Sequence, residues 1–254
     1  MRNLVLGSCV KTDVEIFSAL ALLGATALQV QHPPVLWLEP SGQILIRGRE
    51  VTPHVVEGVR TYRTQHGVTY DFNGRRSALE FGDAPALRLT GSVTVSTWIN
   101  LRSYVNDGPG AQVLFRGDDR NGLDPYSMAV GNGFIGFEIT GQDGDGRSVI
   151  GDIPTGVWTH VVASYDAENG VIQLWINGDL KAMTKTVIRP FPILDGGFAP
   201  GVSVGNVQND HGPHNQPLNG MIADLRVYDV PLTPEEIGYN GGGGVEPPLA
   251  RVGH

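Results

Sequence analysis

A single cysteine, Cys9, stands among the 254 residues. No intrachain disulfide can form, so disulfide-stapled secreted scaffolds are excluded, while export of a stable β-sandwich is not. No run of basic residues occurs and the formal net charge is -8. A phosphate backbone needs a basic surface, so nucleic acid is excluded as a partner. Long apolar runs are also missing. The longest, Ile16 to Ala27, falls short of a membrane span, and no membrane role is expected. It closes on Ala25-Thr-Ala27 in the manner of a processing site, but Lys11, Asp13 and Glu15 just before it are wrong for an export signal. Leu4-Val-Leu-Gly-Ser-Cys9 is too short for a lipoprotein signal. Catalytic signatures are scarce as well. There is no His-Glu-x-x-His, no phosphate loop and no Glu-x-Asp-x-x-Glu strand, and Glu138 stands alone between Phe137 and Ile139. Glycoside hydrolysis requires paired carboxylates, so the chain reads as a non-enzyme.

What is abundant is turn chemistry: 35 glycines and 17 prolines, beside 41% hydrophobic residues. Many short strands joined by tight turns fit this composition. The pattern is clearest from Trp158 to Leu180. Trp158 to Tyr165 alternates, Asp166-Ala-Glu-Asn-Gly170 is a polar turn, and Ile172, Leu174 and Ile176 share one face of the next strand. Asn177-Gly178 then supplies a hairpin turn, because both residues tolerate positive φ. Val93, Val95, Thr97, Ile99 and Leu101 share a face while Trp98 takes the other, which marks a central strand. Thr233-Pro-Glu-Glu236 begins a helix: Thr233 caps, Pro234 opens the first turn and Glu236 completes a capping box. About a dozen strands without long βα units predict an all-β sandwich.

Several motifs, in order, resemble the concanavalin A-like lectin/glucanase superfamily, in its laminin G-like branch. They are Tyr70-Asp-Phe-Asn-Gly74, Val93-Thr-Val-Ser-Thr-Trp-Ile99, Trp158-Thr-His-Val-Val-Ala-Ser-Tyr165, Leu174-Trp-Ile-Asn-Gly178 and Gly220-Met-Ile-Ala-Asp-Leu-Arg-Val-Tyr228. The resemblance implies a jelly roll of two antiparallel sheets over residues 68–238. An N-terminal arm (1–34) and a β-hairpin extension (35–67) precede it, and a Gly/Pro-rich tail (239–254) closes the chain.

The resemblance also implies a structural calcium between the early turn and the last strand, with Asp71, Asn73, Gly74 and Asp224 as its residues. Here Ala223 stands where the family carries Asp, and Asp224 is displaced by one position. In a regular strand that displacement turns it to the opposite face. Asp143 and Asp145 alternate as in part of a calcium loop, without the length or closing Glu of an EF-hand, and Asp118, Asp119 and Asn121 offer a metal or sugar contact; the plainer reading of both is a polar, solvated turn. The loop Asn209-Asp210-His211-Gly-Pro-His214-Asn215 offers a sugar site. Asn209, Asp210, His211 and Asn215 would bond hydroxyls and Tyr104 would give an aromatic face; the alternative is a polar loop that shapes an oligomer contact. Trp98, Trp158 and Trp175 read as packed residues and His160 as a satisfied polar group.

Two functions fit. In the first, the chain is a structural assembly protein, such as a virion surface, decoration or fibre component. Its arm, through Ile16, Leu20, Leu22 and Leu23 with Trp37 as anchor, grips a neighbour in a homo-oligomer. In the second, it is a carbohydrate-binding or adhesion module with a glycan partner. The apolar arm tilts the balance to the first, on a virion or extracellular surface.

Overall fold

The computed structural model describes residues 32–104, 110–118, 120, 122–197, 199–208 and 215–240, all within one unit, residues 32–254. The strands in chain order are β1 (Leu36–Leu38), β2 (Ile44–Ile46), β3 (Arg49–Glu50), β4 (His54–Val55), β5 (Arg60–Thr64) and β6 (Gly67–Asn73). Next come β7 (Leu79–Gly82), β8 (Val93–Leu101), β9 (Ala111–Gly117), β10 (Tyr126–Val130), β11 (Phe134–Thr140) and β12 (Gly146–Asp152). The last are β13 (Thr159–Asp166), β14 (Val171–Ile176), β15 (Asp179–Lys185), β16 (Gly201–Val204) and β17 (Asn219–Tyr228), then the helix α1 (Pro234–Asn240).

They form two antiparallel sheets. The ten-stranded sheet runs β15-β14-β13-β8-β17-β1-β2-β3, with β6 also on β17 and β5 on β6. The seven-stranded sheet runs β12-β11-β10-β9-β16-β7-β4. This is the expected β-sandwich. Strands from 35–67, anticipated as an extension, are built into both sheets: β1 pairs with β17, β4 with β7 and β5 with β6.

Alternation explains the packing. Val93, Val95, Thr97, Ile99 and Leu101 are each fully buried, and Trp98, on the other face, is half-buried. β8 is central, flanked by β13 and β17. Ile172 and Leu174 are buried inward from β14, and Phe72, Tyr126 and Phe137 meet them from other strands in one contiguous core. Each such aliphatic or aromatic side chain stabilises the fold by about 1.5–3 kcal/mol. The β14–β15 turn has Asn177 at φ 52° and Gly178 at φ 83°, as a two-residue hairpin of this hand requires. The helix α1 starts as its sequence predicts. The Thr233 amide donates to Glu236 Oε2 at 3.0 Å and the Glu236 amide to Thr233 Oγ1 at 3.3 Å. Ile237 then packs with Val162, Tyr228 and Leu232.

The last strand departs from regularity. Its first half, Asn219 to Ala223, pairs with β6, and Arg226 and Val227 pair with β1. Between them the register against β8 shifts, and Asp224 lies at φ 48°. A non-glycine residue in the left-handed region marks a bulge. Simple alternation therefore does not carry through Asp224. The bulge is where the strand hands over from one neighbour to the next.

Candidate binding cleft

Between the amino-terminal end of β9 and the strands β10 to β12, the outer face of the seven-stranded sheet carries a cleft of about 200 Å³. Register builds its floor. Ser127 opposes Glu138, and Glu138 opposes Ser148; one row on, Ala129 opposes Gly136 and Gly136 opposes Ile150. Tyr126, Met128, Ile135, Phe137 and Val149 alternate with these residues and fill the core, so the small and polar set is left outside. The aromatic ring of Phe134, 39% exposed, forms one wall.

Glycines make room for the walls. A Cβ on Gly131 would lie 2.2 Å from the Phe134 ring, one on Gly146 2.2 Å from Glu138 Oε1, and one on Gly117 2.1 Å from Asp124 Oδ1. All three distances are far below van der Waals contact: the Phe134 ring fills space that Gly131 leaves, and the carboxylate ends of Glu138 and Asp124 lie against Gly146 and Gly117.

The electrostatics are one-sided. Burial, with the nearby charges of Asp118 and Glu138, pushes the Asp124 carboxyl up to about 7, and burial raises that of Glu138 as well. Gln112, only 5% exposed, donates through Nε2 to Gln216 Oε1 at 2.6 Å, while its Oε1 has no partner among the described residues. Both glutamines line the cleft. A buried acceptor without a donor is costly and invites one from a ligand.

The residues singled out from the sequence are placed elsewhere or not described. Tyr104 packs against the core and donates its hydroxyl to the Ile153 carbonyl at 2.6 Å, so its ring is part of the domain's own packing. Asn215 is spent inside the fold: Nδ2 donates to the Arg75 carbonyl at 2.9 Å and Oδ1 accepts from Asn206 at 2.8 Å. Asn209, Asp210 and His211 lie outside the described residues, as do Ile16, Leu20, Leu22 and Leu23. Trp37 is tied to the last strand. Its indole donates to Asp224 Oδ1 at 2.7 Å, and its ring lies under Arg226, 5.1 Å from the guanidinium carbon.

The calcium residues do not fit calcium. Asp71 Oδ1 accepts from Arg102 Nη1, the Phe72 carbonyl from Arg102 Nη2, and Asn219 Oδ1 from Arg102 Nε at 2.9 Å. Carboxylate, carbonyl and amide oxygens are the donors calcium uses, but here they close on a guanidinium that is itself the cation. Asn73 Oδ1 accepts from the amides of Arg75 and Arg76 and from Ser77 Oγ, which shapes the Gly74 turn. Asp224 is held by Arg226 at 2.7 Å and by Trp37. Among the described residues no group of three or more His, Cys, Asp or Glu is arranged to hold a metal ion.

Two other clusters are structural. The His66 ring stacks on Trp98 at 4.0 Å and meets Trp158 edge-on at 4.8 Å. His160 bonds Ser96 Oγ at 3.1 Å through Nε2, and burial, then the charges of Arg226 and His66, lower its pKa to about 3. An imidazole held neutral so far below working pH is a poor proton acceptor. Gly201-Val-Ser203-Val-Gly205 spells a nucleophile-elbow motif. In the fold Ser203 is fully buried within β16 and donates to the Asn206 carbonyl at 2.5 Å, so it presents no nucleophile.

Comparison with known proteins agrees with this architecture. The family described as the concanavalin A-like lectin/glucanases superfamily matches residues 73–238. Serum amyloid P-component of Bos taurus is 27% identical over 135 residues, 51% of this chain and 53% of its own. Human (Homo sapiens) pentraxin-related protein PTX3 is 28% identical over 161 residues, 59% of this chain and 39% of its own. The chain thus spans about half the length, or less, of these curated relatives. Among solved structures, the receptor binding domain of botulinum neurotoxin D superposes with a TM-score of 0.62 at 17% identity, covering 83% of this chain and 52% of that one. The binding domain of botulinum neurotoxin DC in complex with SialylT gives 0.60 at 12% identity, covering 83% and 51%. At such identities the likeness is one of fold. Two antiparallel sheets in a jelly-roll-like sandwich and a family match over most of the described chain lead to one assignment: the protein belongs to the concanavalin A-like lectin/glucanase superfamily, in its laminin G-like branch.

Proposed function

We propose that this chain is a non-catalytic glycan-binding module that takes its ligand on the outer face of the seven-stranded sheet. The observation that carries the reading is Gln112 Oε1, a buried acceptor without a partner at a cleft that pairs an open aromatic ring with polar groups. A sugar has hydroxyls for the acceptors and an apolar face for Phe134. Of the two readings open from the sequence, the binding module now has the better support. The solved structures of like fold are described as binding or receptor binding domains, and nothing comparable favours a virion component. An extracellular surface is the setting such a module implies.

Two carboxylates in one cleft raise the question of hydrolysis. A glycosidase needs its pair split in acidity, one carboxyl kept protonated and one kept ionised. Here Asp124 and Glu138 both shift upward, and no described cation holds either of them ionised. The pair suits recognition rather than acid–base work. Self-association through the N-terminal residues is part of the same reading.

The test is a glycan array probed with the full chain and with Phe134→Ala. Since Phe134 is exposed, the variant should fold normally and lose at least tenfold in affinity for the glycans the parent retains. Equal retention by both proteins would move the site away from this cleft.

A further inference from the structure

We infer that the ligand of this cleft carries a free, protonated amine among its hydroxyls: an amino sugar that is not acetylated. The inference rests on the glycan-binding reading and narrows it.

The cleft is rich in acceptors and poor in donors. The Gln112 amide has its donor end committed to Gln216 and its buried acceptor end without a partner among the described residues. Asp124 and Glu138 add two carboxylates, for which the described residues supply no hydrogen-bond donor. The cations nearby are engaged elsewhere. Arg120 closes on Asp118 at 2.6 Å. Arg116 is buried against Asp83 and the carbonyls of Phe191 and Pro192. Arg147 donates to Thr184 Oγ1 at 3.2 Å. A neutral sugar would satisfy Gln112 yet leave the half-buried Asp124 and the exposed Glu138 without countercharge once the ligand covers them, and an unpaired carboxylate taken out of water is expensive. An ammonium group answers both needs, with three N–H donors and a positive charge. Phe134, four residues along β11 from Glu138, offers its face to the apolar side of the sugar ring. Ser127 and Ser148, in register on either side of Glu138, can both donate and accept, as neighbouring sugar hydroxyls require. A bare lysine side chain would leave them unused.

The test is calorimetric titration of the full chain near pH 7 at fixed salt. The probes are a fully deacetylated glucosamine tetramer, its fully N-acetylated counterpart, a glucose tetramer and a lysine tetramer. The deacetylated tetramer should bind at least tenfold more tightly than the other three. Glu138→Gln should erase that margin, with Asp124→Asn as a second variant if the first fails to fold. Binding of the acetylated or glucose tetramer equal to the amine, lost in Phe134→Ala, would overturn the amine while leaving the glycan cleft in place. A lysine tetramer that binds as well would overturn the sugar in favour of charge alone. No binding of the deacetylated tetramer at millimolar concentration would also overturn the inference, whatever the array returns.

Discussion

Asp124 shows what the cleft costs the fold. Its carboxyl is raised from 3.8 to about 7, so between those values the folded state holds a proton that the unfolded state has released. Stability from this group is then highest below about pH 4 and falls as pH rises toward 7, by a few kcal/mol in all. Asp124→Asn should remove that slope. The variant should match the parent near pH 4 and exceed it at pH 8 by about 1–3 kcal/mol in urea unfolding; equal stability at pH 8 would mean that the carboxylate is better solvated than its surroundings indicate. A residue kept against the interest of stability is characteristic of a functional position. His160 slopes the other way. Its pKa is lowered to about 3, so its contribution is lost as pH falls from 6.5 toward 3. The value of Asp124 and Glu138 was not legible in the sequence. Glu138 stands between two core residues, and only the pairing of β10, β11 and β12 sets it between Ser127 and Ser148 and near Asp124. The glycines that admit these side chains read as turn or strand residues until the neighbour that needs the space is known.

At the level of elements, features governed by local rules were readable. The alternation of β8 and β14, the Asn177-Gly178 turn and the Thr233–Glu236 capping box all rest on neighbours a few residues apart. The residues expected to hold calcium are engaged by protein groups where distant elements meet. Arg102 comes directly after β8, Asp71 and Phe72 lie in β6 and Asn219 opens β17, and no spacing in the chain discloses that the three oxygens share one guanidinium. Arg102 therefore ties these strands through its own charge. A chelator should leave the thermal midpoint of the parent unchanged, whereas Arg102→Ala should lower stability by about 1–2 kcal/mol, the range for exposed hydrogen bonds to charged groups. A drop of several degrees on chelation alone would show that an ion is bound after all. Asp224 was misplaced for a related reason: alternation was counted straight through a bulge that the chain announces with no glycine.

The whole molecule keeps its sandwich within residues 32–254, with the amide of Val35 already bonded to the Val227 carbonyl at 2.6 Å. Deleting residues 1–31 should leave the circular dichroism and unfolding midpoint of the domain intact. If self-association runs through Ile16, Leu20, Leu22 and Leu23, light scattering should report a fall to monomer mass; an unchanged mass would assign association to the sandwich itself. The handover at Asp224 has a mechanical consequence. Any load applied through residues ahead of His32 enters the domain along β1. That strand is three residues long and is pinned to β17 by Trp37 on Asp224 and, through its hairpin, by Arg47 on Asp229 at 2.8 Å. The half of β17 that faces β6 lies beyond the bulge and outside that line of force. Leu36, Leu38 and Ile44 of the β1–β2 hairpin are buried in the common core, so tension on it is borne by the sandwich itself rather than by a detachable edge.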